Sequence, residues 1–447
     1  MEFFMRNIQK INISKLHGYK NYNIKIKDNK LILVGENGSG KTTILRMLFY
    51  LLSKQWENLA AIDFVEISVD IDGASIKFNK QEFLENRKKL DALPLPSRVK
   101  AMILEDPDGF RRYYGSRRFL YDESVIKEVM DNKYIKTVEN ILSKLNLRVL
   151  YLPTYRRIEQ ETAYIFNDLE HREEFAFRSS RYERHVNPDD NFIEQIEFGM
   201  NDVAKAIENK ISSIKEYSRN SLNELSMGYL GDVIDKEYNN FDLNIIKCIE
   251  DEKIKSVLDR IDEKILPKGR KNRIEKTIHN VRDGGVASVE DKVVCYYFNK
   301  LLNFNSELEA KEKELQTFCD VCNSYFYNKQ IVYSKDISVD VVTRNKETDT
   351  SEEKSLGKTL NTLSSGEKQI VSIFSRLYLR EENKEYQFFV LIDEPELSLS
   401  VPWQKKLISD MEKGTCCGGI IAVTHSPFIF DSPMVDMYAH SLEEFKK

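Results

Sequence analysis

Leu363-Ser364-Ser365-Gly366-Glu367-Lys368-Gln369, then the apolar run Phe388 to Ile392 leading into Asp393-Glu394-Pro395, then Thr424-His425-Ser426-Pro427, form the stretch that decides the fold. These three motifs complete a site that begins far upstream, at Gly35-Glu36-Asn37-Gly38-Ser39-Gly40-Lys41-Thr42. Parts of one phosphate-binding site therefore lie at opposite ends of the chain, and the sequence between them must be looped out.

Gly35 to Thr42 matches the P-loop pattern in the context that pattern requires. It follows the continuous apolar run Leu31-Ile32-Leu33-Val34, read as a buried strand, and precedes Ile44, Leu45, Leu48, Phe49 and Leu52 at helical spacing. Glycines let backbone N–H groups converge on phosphate oxygens, Lys41 reaches the β and γ phosphates, and the Thr42 hydroxyl ligates Mg²⁺. Gly35, Glu36, Asn37, Gly38, Ser39, Gly40, Lys41, Thr42 and Thr43 are thus the expected ATP-binding residues.

The second half of the site narrows the chemistry. Phe389 to Ile392 reads as a buried strand with Asp393 at its carboxyl end, placed to hold Mg²⁺. Glu394 is then placed to orient or deprotonate the attacking water, provided its carboxylate is ionised at neutral pH. Ser364, Ser365, Gly366 and Glu367 open a helix with Ile370, Phe374 and Leu377 on one face. Two readings stay open for them: a phosphate-facing helix N-terminus, or an ordinary capping serine followed by Glu. His425 follows the strand pattern Ile420-Ile421-Ala422-Val423, and its plain reading is closure of that strand.

Around these motifs the chain alternates strand and helix patterns. Ile11, Ile13, Ile24 and Ile26 predict two strands around a turn, and Asp72-Gly73 between Phe64–Ile71 and Ala74–Phe78 predicts a two-residue hairpin. Val149 to Leu152, ended by Pro153, should rejoin the central sheet. Ile196, Met200, Val203, Ile207, Ile211 and Ile214, and later Leu301, Phe304, Leu308, Leu315, Phe318 and Cys322, keep a 3/4 rhythm, with Lys311 interrupting the second set. Two antiparallel helices follow from that rhythm. Lys268 to Gly285 between them reads as the exposed far end of the insertion. Alternation over Gln330 to Val342 returns the chain to strand.

Composition excludes several classes. At 41% apolar the chain can build real cores, and charges of 67 Lys+Arg against 72 Asp+Glu leave a net of -5, so no global electrostatic grip on nucleic acid is indicated. Six cysteines, with no charged-then-apolar leader, point to a reducing cytoplasm. Cys319 and Cys322 have zinc-like spacing but no second pair, and Cys322 lies on the apolar seam, so core is preferred to ligand. No run approaches the roughly 18 apolar residues of a membrane span, so no membrane partner is expected. Arg111-Arg112-Tyr113-Tyr114, Arg117-Arg118, and the cluster Arg172, Arg178, Arg181 and Arg184 are read as solvated loops before phosphate or acidic-partner grips. Arg156-Arg157 and Gln160 follow the Val149–Leu152 strand, where a structural arginine pair is one reading.

The ordered set of motifs resembles the ATP-binding-cassette superfamily, in its SMC/RecF/OLD branch. The resemblance implies an α/β fold: an ABC-type P-loop ATPase head, with a mixed central sheet, flanking helices and an antiparallel β subsheet, carrying a long helical-hairpin insertion. It implies an N-terminal half-head over 1–160, the insertion over 161–325, and a C-terminal half-head over 326–447. Ser364 and Gly366 would be signature residues, with Ser365 and Glu367 replacing the usual glycine and glutamine. In that family two heads sandwich two ATPs, so the signature of one copy would meet the γ-phosphate of another, implying a homo-oligomer, and the resemblance implies that His425 contacts the same phosphate from its own side. It also implies a γ-phosphate sensor after the Val149–Leu152 strand, where Arg156-Arg157 and Gln160 stand without a clean match.

The insertion is far shorter than SMC arms, and no second acidic constellation for a nuclease is apparent. The wording Asp393-Glu394-Pro395-Glu396-Leu397-Ser398-Leu399-Ser400, Trp403-Gln404 and Thr424-His425-Ser426-Pro427-Phe428 resembles the ATPases of two-gene phage-defence systems. Leu152-Pro153-Thr154-Tyr155-Arg156-Arg157-Ile158-Glu159 and Phe198-Gly199-Met200-Asn201-Asp202-Val203 are most similar to the AriA family of PARIS systems. That resemblance implies an oligomeric sensor holding a separate Toprim-type nuclease (AriB-like) and releasing it when an acidic phage DNA-mimic protein binds. A RecF-like clamp that binds DNA directly, and a stand-alone ATPase, are the alternatives.

Overall fold

The computed structural model describes residues 6–92, 133–145, 147–154, 192–194, 200–261, 263, 266–334, 336–343, 359–379 and 387–447. In chain order its strands are β1 (Ile8–Leu16), β2 (Lys20–Lys25), β3 (Lys30–Val34), β4 (Glu66–Ile71), β5 (Ala74–Asn79) and β6 (Arg148–Leu152). They continue with β7 (Phe192–Glu194), β8 (Lys329–Ser334), β9 (Ser338–Thr343), β10 (Phe388–Asp393), β11 (Cys417–Thr424) and β12 (Ala439–Ser441). The chain forms two compact units, Met1–Phe198 with Lys384–Lys447, and Gly199–Asn383.

The first unit is built on two sheets. Six strands in the order β12-β3-β11-β10-β6-β7 pair in parallel throughout, and four antiparallel strands run β2-β1-β4-β5. The mixed character expected of the central sheet is thus divided: parallel pairing in one sheet, antiparallel pairing confined to others. Helix Lys41–Leu52 shares one core with both sheets, its Ile44, Leu45, Leu48, Phe49 and Leu52 packing among Ile11, Ile24, Val69, Leu31, Leu33, Tyr151, Leu391 and Val423. Phe49 stacks on Tyr151 with ring centroids 4.7 Å apart. β10 is buried at all six positions, as a parallel strand covered on both faces must be.

The predicted local features of this unit are present. Asp72 and Gly73 both take positive φ, 48° and 80°, the two-residue turn whose twist matches paired strands, and β4 and β5 flank it in register. β6 rejoins the parallel sheet beside β10, with Leu152 opposite Ile392.

The second unit is mainly helical. Helices Met200–Ile234 and Val289–Asn323 run antiparallel: Lys210 pairs with Glu314, Tyr217 with Glu307, and Asp232 with Tyr296. On the first, Met200, Val203, Ile207 and Ile214 are buried. On the second, the buried positions Phe298, Leu301, Asn305, Leu308, Glu312, Leu315, Cys319 and Cys322 form a regular 3/4 seam. Sequence reading placed Phe304 in that seam and a break at Lys311; the seam instead contains two polar residues. Glu312 is 2% exposed and accepts from both terminal guanidinium nitrogens of Arg260 and from the Tyr333 hydroxyl, which is why a carboxylate can stand there.

Lys268 to Gly285 is largely exposed, as expected, yet it is not a bare loop. It forms helix Lys268–Arg282, whose Ile274, Ile278 and Val281 pack with Ile254, Val257, Leu258 and Phe298. The apolar stripe is only three residues wide within a run of Lys and Arg, so charge density hid it. β8 and β9 form a two-stranded hairpin in the same unit.

Candidate functional site

The site in the first unit sits where four parallel strands end together. Thr424 pairs with Val34, Asp393 with Val423, and Ile392 with Leu152, so the residues after β3, β11, β10 and β6 emerge along one edge. Open parallel sheets bind ligands at the carboxyl ends of their strands. The P-loop leaves β3 at this edge, with positive φ at Gly38 and Gly40, and enters helix Lys41–Leu52 directly.

Within the loop Lys41 is 4% exposed, and its ammonium donates to the carbonyls of Gly35 at 2.8 Å and Glu36 at 2.9 Å. Burial lowers its pKa, opposed by the nearby Glu394, Asp393 and Glu396. Two side chains of β2 brace the loop from outside: Lys20 and the Tyr22 hydroxyl both donate to the Ser39 carbonyl, at 3.3 and 3.4 Å. Sequence reading did not single them out.

Asp393, 3% exposed, stands between two hydroxyls. Thr42 Oγ1 donates to its Oδ1 and Thr154 Oγ1 to its Oδ2, each at 2.9 Å. Thr42 and Asp393, 351 positions apart, are thereby brought into one site, and Thr154, which has no phosphate- or metal-site motif around it in the sequence, joins them. Hydroxyl and carboxylate oxygens are hard donors, and magnesium characteristically takes one or two protein oxygens with the rest from phosphate and water, so this donor set fits that ion. Among the described residues no cluster of three or more His, Cys, Asp or Glu could cage a metal by protein ligands alone.

Glu394 follows with a left-handed backbone, φ 49°, and its amide donates to the Val423 carbonyl at 2.8 Å. Left-handed conformation in a non-glycine residue costs energy, and such strain gathers at functional positions. Burial raises the Glu394 pKa, helped by Asp393 and Glu396 and opposed by His425 and Lys41. His425 Nε2 lies 3.9 Å from Glu394 Oε1. The loop carrying His425 is tied down by Glu396, whose Oε1 accepts the amides of His425 at 2.8 Å and Ser426 at 3.2 Å. Ser426 Oγ donates to Gln404 Oε1 at 2.6 Å, and Gln404 Nε2 donates to the Leu399 carbonyl at 2.9 Å. Glu396 and Gln404 stand in the sequence within motif wording, but nothing local there shows that they hold the His425 loop.

Ser364, Ser365, Gly366 and Glu367 belong to the second unit. Ser364 caps helix Ser365–Tyr378 in a reciprocal box: its hydroxyl accepts the Glu367 amide, and its own amide donates to Glu367 Oε2 at 2.7 Å. Lys329 also holds Glu367 Oε2, at 2.9 Å. Burial pushes the Glu367 pKa up, but the Lys329 ammonium and Ser364 outweigh it and the net shift is downward. The capping geometry is therefore present, and Ser364 and Ser365 remain exposed. Arg156, Arg157, Gln160 and the two arginine clusters lie outside the described residues. None of the helices among the described residues is long and apolar enough to cross a membrane.

Solved structures resembling this chain include the Smc head domain with an extended coiled coil bound to the C-terminal domain of ScpA from Pyrococcus furiosus. It is 12% identical, with 95% of this chain and 91% of that chain covered at a TM-score of 0.33. The recombination mediator protein RecF bound to ATPrS is 9% identical over 95% of this chain and 94% of that one, at 0.26. The Smc head domain with a coiled coil and joint from Pyrococcus yayanosii is 13% identical over 95% and 93%, at 0.28. No curated protein matches the chain. The model of the AAA ATPase domain matches residues 6–430, which is nearly the whole chain and includes the P-loop, the Asp393-Glu394 strand end and His425, and the chain therefore belongs to that family.

Proposed function

We propose that the protein is a magnesium-dependent ATP hydrolase of ABC type, whose pocket is completed by a second copy of the chain. The observation that carries this reading is the Asp393 carboxylate hydrogen-bonded to the P-loop Thr42, with Glu394 one residue beyond it. Gly35 to Thr43 would cradle the triphosphate, and Lys41 would exchange its loop carbonyls for phosphate oxygens. Thr42 and Asp393 would hold magnesium, which supplies neutralisation of charge on the phosphates. Glu394 takes a proton from the attacking water, and its raised pKa brings it closer to neutral pH as a base. His425, held by Glu396, faces Glu394 and would contact the γ-phosphate.

Completion in trans is supported by the exposed Ser364 and Ser365 at a helix N-terminus, where partial positive charge favours phosphate. Phosphate release by the full chain, with and without Mg²⁺, tests the reading. Lys41→Ala should abolish nucleotide binding, Glu394→Gln should leave ATP bound in associated copies, and Ser364→Arg should block that association; normal turnover in the first two variants would overturn it.

The finer role we infer is that of an oligomeric sensor in an AriA-like defence system, holding a Toprim-type nuclease and releasing it on meeting an acidic DNA-mimic protein. Its support is the motif wording from Asp393 to Ser400 and from Thr424 to Phe428. A net charge of -5 is compatible with local, rather than global, recognition of acid. Co-purification with the product of the adjacent gene tests it. A nuclease companion, lost on adding an acidic anti-restriction protein, is the expected result. Steeply salt-dependent binding to DNA without such a companion would favour a RecF-like clamp instead.

A further inference from the structure

The hydroxyl of Thr154 is one side of a two-point clamp on Asp393. β6 ends at Leu152 opposite Ile392, so the next residues of both strands leave the sheet side by side. Pro153 has no amide proton to continue the ladder, and β6 ends just before it. Thr154 Oγ1 then donates to Asp393 Oδ2 at 2.9 Å, while Thr42 Oγ1 donates to Oδ1 at the same distance. The terminal torsion of an aspartate is broad and weakly held by its own stereochemistry. At 3% exposure there is little water to orient this one, so the two hydroxyls fix the carboxylate plane from opposite oxygens.

We propose that Thr154 is a positioning residue for magnesium: by holding Oδ2 it keeps the carboxylate oriented with Oδ1 toward Thr42. This rests on the assignment of Asp393 and Thr42 as the metal-holding pair. Groups that orient a metal ligand through hydrogen bonds typically alter metal affinity 10- to 100-fold when removed. Thr154→Val deletes the donor at constant shape, and Thr154→Ser keeps it while deleting the methyl.

The test is the thermal shift of the full chain with a fixed, saturating non-hydrolysable ATP analogue and titrated Mg²⁺. Thr154→Val should raise the Mg²⁺ concentration giving half of the stabilisation by about tenfold, with Thr154→Ser within about twofold of the wild type. A purely structural role would lower the melting temperature without nucleotide and leave the Mg²⁺ midpoint in place, which overturns the proposal. So would an equal shift in the serine variant, which would make the methyl responsible. If the valine variant does not fold, Thr154→Ala is read in its place. A wild-type chain that Mg²⁺ does not stabilise at any concentration would overturn the metal assignment itself, a failure distinct from an unshifted midpoint.

Discussion

Replacing Glu394 by glutamine changes one oxygen to an amide and tests both the chemistry and the electrostatics of the site. The side chain is 29% exposed, faces His425 at 3.9 Å, and lies near the carboxylates of Asp393 and Glu396. As the base for the attacking water it should contribute about 10²- to 10⁴-fold to hydrolysis, or roughly 3 to 5 kcal/mol of barrier. Affinity for ATP should be unchanged, because the cradle and the Asp393 clamp are untouched.

Stability should move the other way. A carboxyl whose folded pKa is raised contributes stability that is fully present below its unfolded pKa and lost as pH rises through the folded pKa. Burial, Asp393 and Glu396 raise that of Glu394, so its ionisation at neutral pH costs the fold something. Glu394→Gln should melt slightly higher than the wild type at pH 7 to 8, and the difference should vanish below about pH 4.3, where the unfolded carboxyl is protonated too. Wild-type turnover should likewise fall on acidification sooner than an ordinary glutamate would dictate. Steady-state phosphate release and melting curves across pH measure both. Turnover within tenfold of wild type, or a variant less stable than wild type at pH 8, would refute the reasoning.

Three further outcomes are expected. Lys41→Ala should abolish binding of a fluorescent ATP analogue and also lower stability by about 1 to 3 kcal/mol in denaturant melts, since the Gly35 and Glu36 carbonyls lose their donor. Glu396→Ala frees the amides of His425 and Ser426, so kcat should fall at least tenfold while KM for ATP changes little; equal loss in both would show that the tie supports binding rather than the histidine. Arg260→Met leaves Glu312 buried without its cation and should cost about 3 to 5 kcal/mol in denaturant unfolding, largely recovered in Arg260→Met/Glu312→Leu.

What the amino-acid sequence determined by itself is what short-range chemistry determines. The Gly35–Thr42 loop between an apolar strand and an amphipathic helix, the Asp72-Gly73 turn, and the fully apolar Phe388–Ile392 run each need only neighbouring residues to specify their backbone. The seam of helix Val289–Asn323 was legible only in part, because Asn305 and Glu312 look like surface residues until Arg260 and Tyr333 arrive to satisfy the glutamate. The clamp of Thr42 and Thr154 on Asp393, the hold of Glu396 on the His425 amides, and the brace of Lys20 and Tyr22 on Ser39 were decided by tertiary structure alone. Each depends on which strand lies beside which and in what register, and a hydroxyl or carboxylate carries no mark of its distant partner until the packed sheet sets them about 3 Å apart.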